Sequence, residues 1–381
     1  MREKRILHSC YAAFLVNGML SLSAGTLLPY LMETYGIGYG FSGVLLSIHS
    51  VGSLAATLLM GVLPFWFGRR RSAAVISALG GMAFLCLLAG QVPAFLVVAF
   101  LFTGLAKGSC SNTGNTVVGQ VATGDPVAMN MLHASVALGA LSCPFLVLLC
   151  ADKAGVWQIA AVVLALLQFG QAAVVGRLDM AEERRRDSGK GHIRFYRDIR
   201  FWVAALIMFF YMCAEQGING WLVTYFRDTG LMSDGFAQGL TSVLWLFILA
   251  GRLISAQLGK RLRPSLLLAI DAAGYLVCFV WLMNSTRLLP IAGAIVGLGL
   301  CMAGIFPCTV ACASAVVEGD GTAMTVLLTF SSIGAVAMPA LIGAVAERAG
   351  IAGGMHTLIA VVTATLGMIL LNYLLDRRKR S

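Results

Sequence analysis

A chain of 381 residues that is 59% hydrophobic and only 12% charged is not a soluble globular protein, in which about a quarter of residues carry charge. With a mean hydropathy of +0.86, its solvent is lipid. The net charge of +10 does not mark a nucleic-acid binder, because Lys and Arg avoid the apolar runs and cluster in connecting segments.

A membrane-spanning helix needs about 20 mostly apolar residues, and twelve segments meet that length. The first six run over approximately 7–32, 41–66, 73–90, 93–118, 129–151 and 155–176. The second six run over approximately 201–226, 235–258, 265–284, 288–317, 322–346 and 351–375. The fold class is therefore all-α integral membrane. The opening "MREKRILHSCYAAFLVNGML" also has the basic head and apolar body of a signal peptide. A second copy of the same span in mid-chain, where no signal would operate, argues against cleavage.

That copy belongs to a duplication. "GTLLPYLMET" from Gly25 and "GWLVTYFRDT" from Gly220 share Gly-x-Leu-x-x-Tyr-x-x-acid-Thr at an offset of 195 residues. "FSGVLLS" and "FAQGLTS", "GLAK" and "GLCM", and "LGALSCPFL" and "IGAVAMPAL" keep the same offset. Two parallel six-helix repeats are expected: a bundle over 1–177, a linker over 178–200 and a bundle over 201–381.

Positive charge orients them. Arg2, Lys4, Arg5, Arg69, Arg70, Arg71, the Arg-rich linker, Lys260, Arg261, Arg263 and the terminal "DRRKR" fall on one side of a twelve-span chain. Lys153, Arg227, Arg287 and Arg348 fall on the other. The positive-inside rule makes both termini cytoplasmic.

Most of the ten cysteines lie within apolar runs (Cys86, Cys110, Cys143, Cys213, Cys278, Cys301), where thiols act as small hydrophobes. Cys308 and Cys312 share a helix face, but nothing near them completes a metal site. No disulfide framework, metal or cofactor is expected. "GYGFSG" fits a dinucleotide pattern but follows a membrane helix rather than a strand, and no phosphate-binding Gly-x-x-x-x-Gly-Lys-Ser/Thr occurs.

Four phrases carry a family resemblance: "GLAKGSCSNTGNTVV", "MNMLHASVALGALSCPFL", "AEQGINGWLVTYF" and "GIFPCTVA". With them the chain resembles a major facilitator superfamily transporter, and within it the fucose–hexose:proton symporter family. The resemblance implies twelve helices in two halves, alternating access to a midplane site, and spans one, four, seven and ten around the cavity. There are departures. In the loop after span two, Gly61, Gly68, Arg69 and Arg70 fit the superfamily pattern, but Phe65 and Trp66 stand where it has Asp and Arg. The family's proton carriers in spans one and four fall on Gly25 and Ser111.

Two charges remain near mid-span, Lys107 and Glu215, each about 21 Å from one helix end at 1.5 Å per residue. The repeat aligns Lys107 with Met302 and Glu215 with Leu20, so the scaffold does not require either charge. An ionised side chain at that depth costs roughly 2.5–3.5 kcal/mol on insertion scales. Spacing by four places Thr103, Lys107, Ser111 and Asn115 on one strip, Tyr211, Glu215 and Asn219 on another, and Asn17 with Ser21 on a third. Gly104, Gly108, Gly217 and Gly220 allow close helix approach or local unwinding beside them.

Two readings follow for the charges: a structural ion pair, or a proton carrier at Glu215 with Lys107 tuning it or holding an anionic group. His133 and His49 are further titratable candidates, or else buried histidines bonded between helices. For Asp271 the expected partners are Arg252 or the Arg261 region. Trp221, Trp245 and Phe306 either stack on a sugar ring or pack.

The expectation is a secondary transporter of the bacterial cytoplasmic membrane. It moves a small polar solute, a sugar or sugar derivative, and is coupled to protons. The substrate contacts are Asn17, Lys107, Ser111, Asn112, Asn115, Gln216, Asn219 and Trp221, and the proton-coupling groups are Glu215, Lys107 and His133. The alternatives are a proton-driven exporter of amphipathic compounds and a non-transporting membrane sensor. No nucleophile–base constellation points to an enzyme.

Overall fold

The computed structural model describes residues 2–122, 126–154, 156–178, 195–317 and 321–378. Most of the expected linker lies outside the described residues. Every long element among them is a helix: α1 (Arg2–Tyr35), α2 (Tyr39–Val62), the short α3 (Pro64–Phe67), α4 (Arg69–Leu88), α5 (Pro93–Val121), α6 (Pro126–Ala154), α7 (Gln158–Val175), α8 (Ile199–Asp228), α9 (Asp234–Leu258), α10 (Pro264–Met283), α11 (Leu288–Met302), α12 (Ile305–Val317) and α13 (Gly321–Arg378).

Local chemistry sets several of these boundaries. Pro93 and Pro264 open α5 and α10, where a missing N–H costs nothing. The Asp198 carboxylate caps α8 by accepting from the Arg200 backbone N–H at 2.9 Å. Eleven described helices are long and apolar enough to cross a membrane. The last, α13, has 58 residues and turns at Gly350, whose φ of 72° is readily open only to glycine. At 1.5 Å per residue it measures about 87 Å, more than two crossings of a ~30 Å core. The architecture is thus an all-helical membrane bundle of twelve spans.

The duplication holds to the residue. Helices α4 and α10 each have 20 residues, and Arg69 and Leu88 lie 195 positions before Pro264 and Met283. Spans four and ten differ, however. In the first repeat α5 runs unbroken, whereas in the second the span stops at Met302 and restarts at Ile305. Pro307 explains the stop, since it has no N–H for the Ala303 carbonyl and its ring crowds that carbonyl. The aligned residue in α5 is Asn112.

The chain forms two compact units, Met1–Arg186 with Asp234–Ser242, and Asp187–Ser233 with Val243–Ser381. In the first, α1 packs on α5 and α6, α2 on α5, and α4 on α5 and α7. Its core gathers Cys10, Phe14, Met60, Ile76, Cys110 and Leu132. The opening turns of α9 belong here, with Gln238 Nε2 donating to the Thr26 carbonyl (3.1 Å) and Ser242 Oγ to that of Leu141 (3.0 Å). In the second unit α8 packs on α12 and α13, and α10 on α11, α12 and α13. A core there gathers Phe201, Ala204, Met208 and Leu327.

Lipid leaves no transfer energy to drive helices together, so they associate by close packing. A Cβ on Gly104 or Gly108 would strike the His49 or Ser53 backbone carbonyl of α2. These glycines serve close approach, and neither α5 nor α8 unwinds. Unwinding occurs instead at Ala303–Gly304, which the residue pattern of spans four and seven did not indicate.

Candidate functional site

In the first unit, α5 buries Thr103, Gly104, Gly108, Cys110, Thr113 and Gly114. Lys107, Ser111, Asn112 and Asn115 lie on its half-buried side. The expected strip is therefore a real, partly open face, with Thr103 at its buried end. Asn17, 1% exposed on α1, reaches it by donating from Nδ2 to Ser111 Oγ at 3.0 Å. Two sequence-predicted contacts are thus brought together. Asn17 Oδ1 and Asn115 Oδ1 are buried without a hydrogen-bond partner.

The two histidines separate. His49 is buried, its Nδ1 lies 2.9 Å from Thr103 Oγ1, and Lys107 is within its electrostatic reach. It is the interhelical histidine. His133 is exposed on α6, with its ring edge-on to Phe14 at 6.5 Å. It is therefore not a buried histidine, although its ring meets Phe14 of α1 across a helix boundary.

In the second unit, Glu215, Gln216 and Asn219 share the half-buried side of α8, while Tyr211, Gly217, Gly220 and Trp221 lie on the buried side. Tyr211 is within hydrogen-bond reach of Glu215, and its hydroxyl donates to the Met302 carbonyl at 3.1 Å. Asn219 Oδ1 is buried without a partner. Trp221 is 0% exposed, and its indole N–H donates to the Pro339 carbonyl at 3.1 Å. A ring with no free face cannot stack on a solute, so Trp221 is a packing anchor here. Phe306 likewise packs on the Phe201 cluster.

Asp271 departs most from expectation. It does not pair with Arg252 or the Arg261 region. It is 8% exposed on α10, and its Oδ2 is buried without a hydrogen-bond partner. The oxygen faces Gly304, where an added methyl would overlap the carboxylate and approach Ser255 Oγ to 2.8 Å. Gly304 and Pro307 were the available signal, standing within the quoted "GIFPCTVA". Among the described residues, no group of three or more His, Cys, Asp or Glu could hold a metal ion.

The family model of the Major Facilitator Superfamily matches residues 10–339. The chain is 32% identical over 134 residues to major facilitator superfamily domain-containing protein 4B of Danio rerio, covering 34% of this chain. It spans only 25% of that relative's length. A bacterial homologue of the human lysosomal transporter Spinster superposes with a TM-score of 0.77 at 11% identity, covering 98% of this chain and 97% of that one. The nucleoside transporter NupG superposes with a TM-score of 0.75 at 13% identity, covering 97% and 98%. At such identities the structural likeness speaks for the fold alone. The chain belongs to the major facilitator superfamily of membrane transporters.

Proposed function

We propose that the chain is a secondary transporter that carries a small polar solute across the bacterial cytoplasmic membrane by alternating access, with both termini cytoplasmic. The solute is a sugar or sugar derivative, and Lys107 admits an anionic one. Proton binding at Glu215 biases the cycle. The observation that supports this reading is that each unit leaves buried amide oxygens unpartnered beside a half-buried polar face, Asn17 Oδ1 and Asn115 Oδ1 in the first and Asn219 Oδ1 in the second. A buried acceptor left empty costs about 1–3 kcal/mol. The hydroxyls of a polyol are donors that would fill it. A largely apolar amphipathic compound supplies few such donors, which disfavours the exporter.

The test is a thermal-unfolding screen of the purified full chain against neutral sugars, sugar acids and amphipathic cations, repeated on Glu215→Gln. A ligand of the folded state raises the midpoint by mass action. Stabilisation by a sugar or sugar acid is expected, and uphill uptake of that compound into proteoliposomes should be lost in Glu215→Gln while exchange persists. Stabilisation by amphipathic cations alone would replace this reading with export. Intact uphill uptake in the variant would remove Glu215 from coupling.

A further inference from the structure

Within the second unit, polar groups continue beyond Glu215. Tyr211 joins the Glu215 carboxylate to the Met302 carbonyl, the last of α11. Beyond Met302 comes the interruption at Ala303–Gly304, and against it lie the buried Asp271 carboxylate and Ser255 Oγ. Tyr275 lies one turn beyond Asp271 on α10, so both share a face. Its hydroxyl is buried without a partner and lies within electrostatic reach of Glu215. These groups are contributed by α8, α10 and α9 of the second unit.

We propose that Asp271, seated on the break in span ten beside Ser255, is a second proton-binding carboxylate of this unit.

The chemistry is one of hydrogen-bond supply. An ionised carboxylate accepts bonds and gives none, and a buried oxygen without a donor costs several kcal/mol. With a proton added, the group is neutral and has an O–H to give. An acceptor stands at hand in Ser255 Oγ, which lies with the carboxylate against Gly304. Among the described residues, no cation is in direct contact with Asp271. Cys301 of α11 and Cys308 of α12 are within its electrostatic reach. Arg252 of α9 is within reach of Tyr211, and from α13 Asp376 accepts from Ser265 at the start of α10. Glu215 and Tyr211 on α8 and Tyr275 and Cys278 on α10 complete the set.

The repeat adds an independent argument. Asp271, Ser255 and Tyr275 align with Ile76, Met60 and Gly80 of the first unit, and the first two of these sit in its apolar core. The scaffold does not need an acid at that place. In the proposed orientation Asp271 lies about 10 Å along α10 from its cytoplasmic end, at 1.5 Å per residue. It would then exchange protons between that side and Glu215. As a step in coupling it rests on the transport reading above; as a proton site it does not.

The experiment is infrared titration of the full chain in lipid nanodiscs, following the C=O stretch of carboxylic acids at about pH 7, where exposed carboxylates are ionised. A band is expected in the wild type, lost in Asp271→Asn, retained in Glu215→Gln and shifted in Ser255→Ala and Gly304→Ala. Should Asp271→Asn not fold, the shifts in the Ser255 and Gly304 variants decide. A band indifferent to all these changes, or no band at all, overturns the proposal and leaves transport untouched. Replacing N-methylglucamine chloride by sodium chloride at constant pH should change nothing. Loss of the band on adding sodium would make the position a metal-cation site and overturn proton binding.

Discussion

Met60 and Ile76 of the first unit and Ser255 and Asp271 of the second hold the same places in the repeat, 195 residues apart. Met60 and Ile76 are 1% and 6% exposed and belong to one apolar cluster with Cys110 and Val117. Ser255 and Asp271 converge on Gly304, whose counterpart is Ser109 in the unbroken α5. One backbone design therefore closes equally well over a packed core and over a buried acid beside a broken helix. The scaffold does not require the second arrangement, which points to what the acid does. The same logic applies to Lys107 and Glu215, whose counterparts Met302 and Leu20 are apolar and 1% and 0% exposed.

The harshest way to break this comparison is to exchange the two arrangements. Ile76→Asp would bury a carboxylate in a core with no interrupted helix to receive it. A cost of roughly 3–5 kcal/mol is expected, enough to remove most folded protein. Asp271→Ile should cost little or even stabilise, since an apolar replacement of a buried charge often does. Thermal unfolding of both variants decides. An Ile76→Asp protein as stable as the wild type would mean that the first unit is wet where the structure packs it dry.

A milder change separates two kinds of close approach. Gly104→Ala drives a methyl against the backbone carbonyl of His49, which α2 holds in place. About 1–3 kcal/mol of destabilisation is expected. Gly304→Ala meets only the ends of the Asp271 and Ser255 side chains, which can turn away. Its cost should be smaller and should shrink further when Asp271 is also changed to Ala, a coupling that a double-mutant cycle reads directly. Strict additivity would show that Gly304 and Asp271 do not meet.

How far such features were legible in the residues depends on how they are written there. Spans are contiguous runs, so hydropathy and the constant offset located them, while α4 and α10 begin and end up to four residues from the expected 73–90 and 265–284. The polar strips are periodic, so spacing by four placed Ser111 and Asn115, and Glu215 and Asn219, on half-buried faces. The break in span ten is neither a run nor a period. It is a backbone event set by Gly304 and Pro307 inside a segment that hydropathy reads as continuous. Asp271 was misassigned for a related reason: charges near one another in sequence suggest a pair, whereas helix rotation decides which face each carboxylate takes. Trp221 shows the same limit, being next to the Glu215 strip in sequence but turned to the buried side.

The smallest effect tests the amide oxygens themselves, again by setting one unit against the other. Ser111→Ala removes the acceptor of the 3.0 Å bond from Asn17 Nδ2, leaving a donor with 1% exposure unserved. About 0.5–1.5 kcal/mol should be lost, seen as a modest fall in the unfolding midpoint. Asn219→Ala removes an oxygen that has no protein partner, so stability should change by a few tenths of a kcal/mol at most. Binding should respond in the opposite proportion. The upward shift of the midpoint by a polyol ligand should survive largely intact in Ser111→Ala, whose loss falls on a bond within the protein. It should collapse in Asn219→Ala, whose loss falls on an acceptor that the proposed solute would fill. If Asn219→Ala instead destabilises the empty protein as much as Ser111→Ala does, that oxygen already has work inside the unit, and the argument from unfilled acceptors fails at its strongest position.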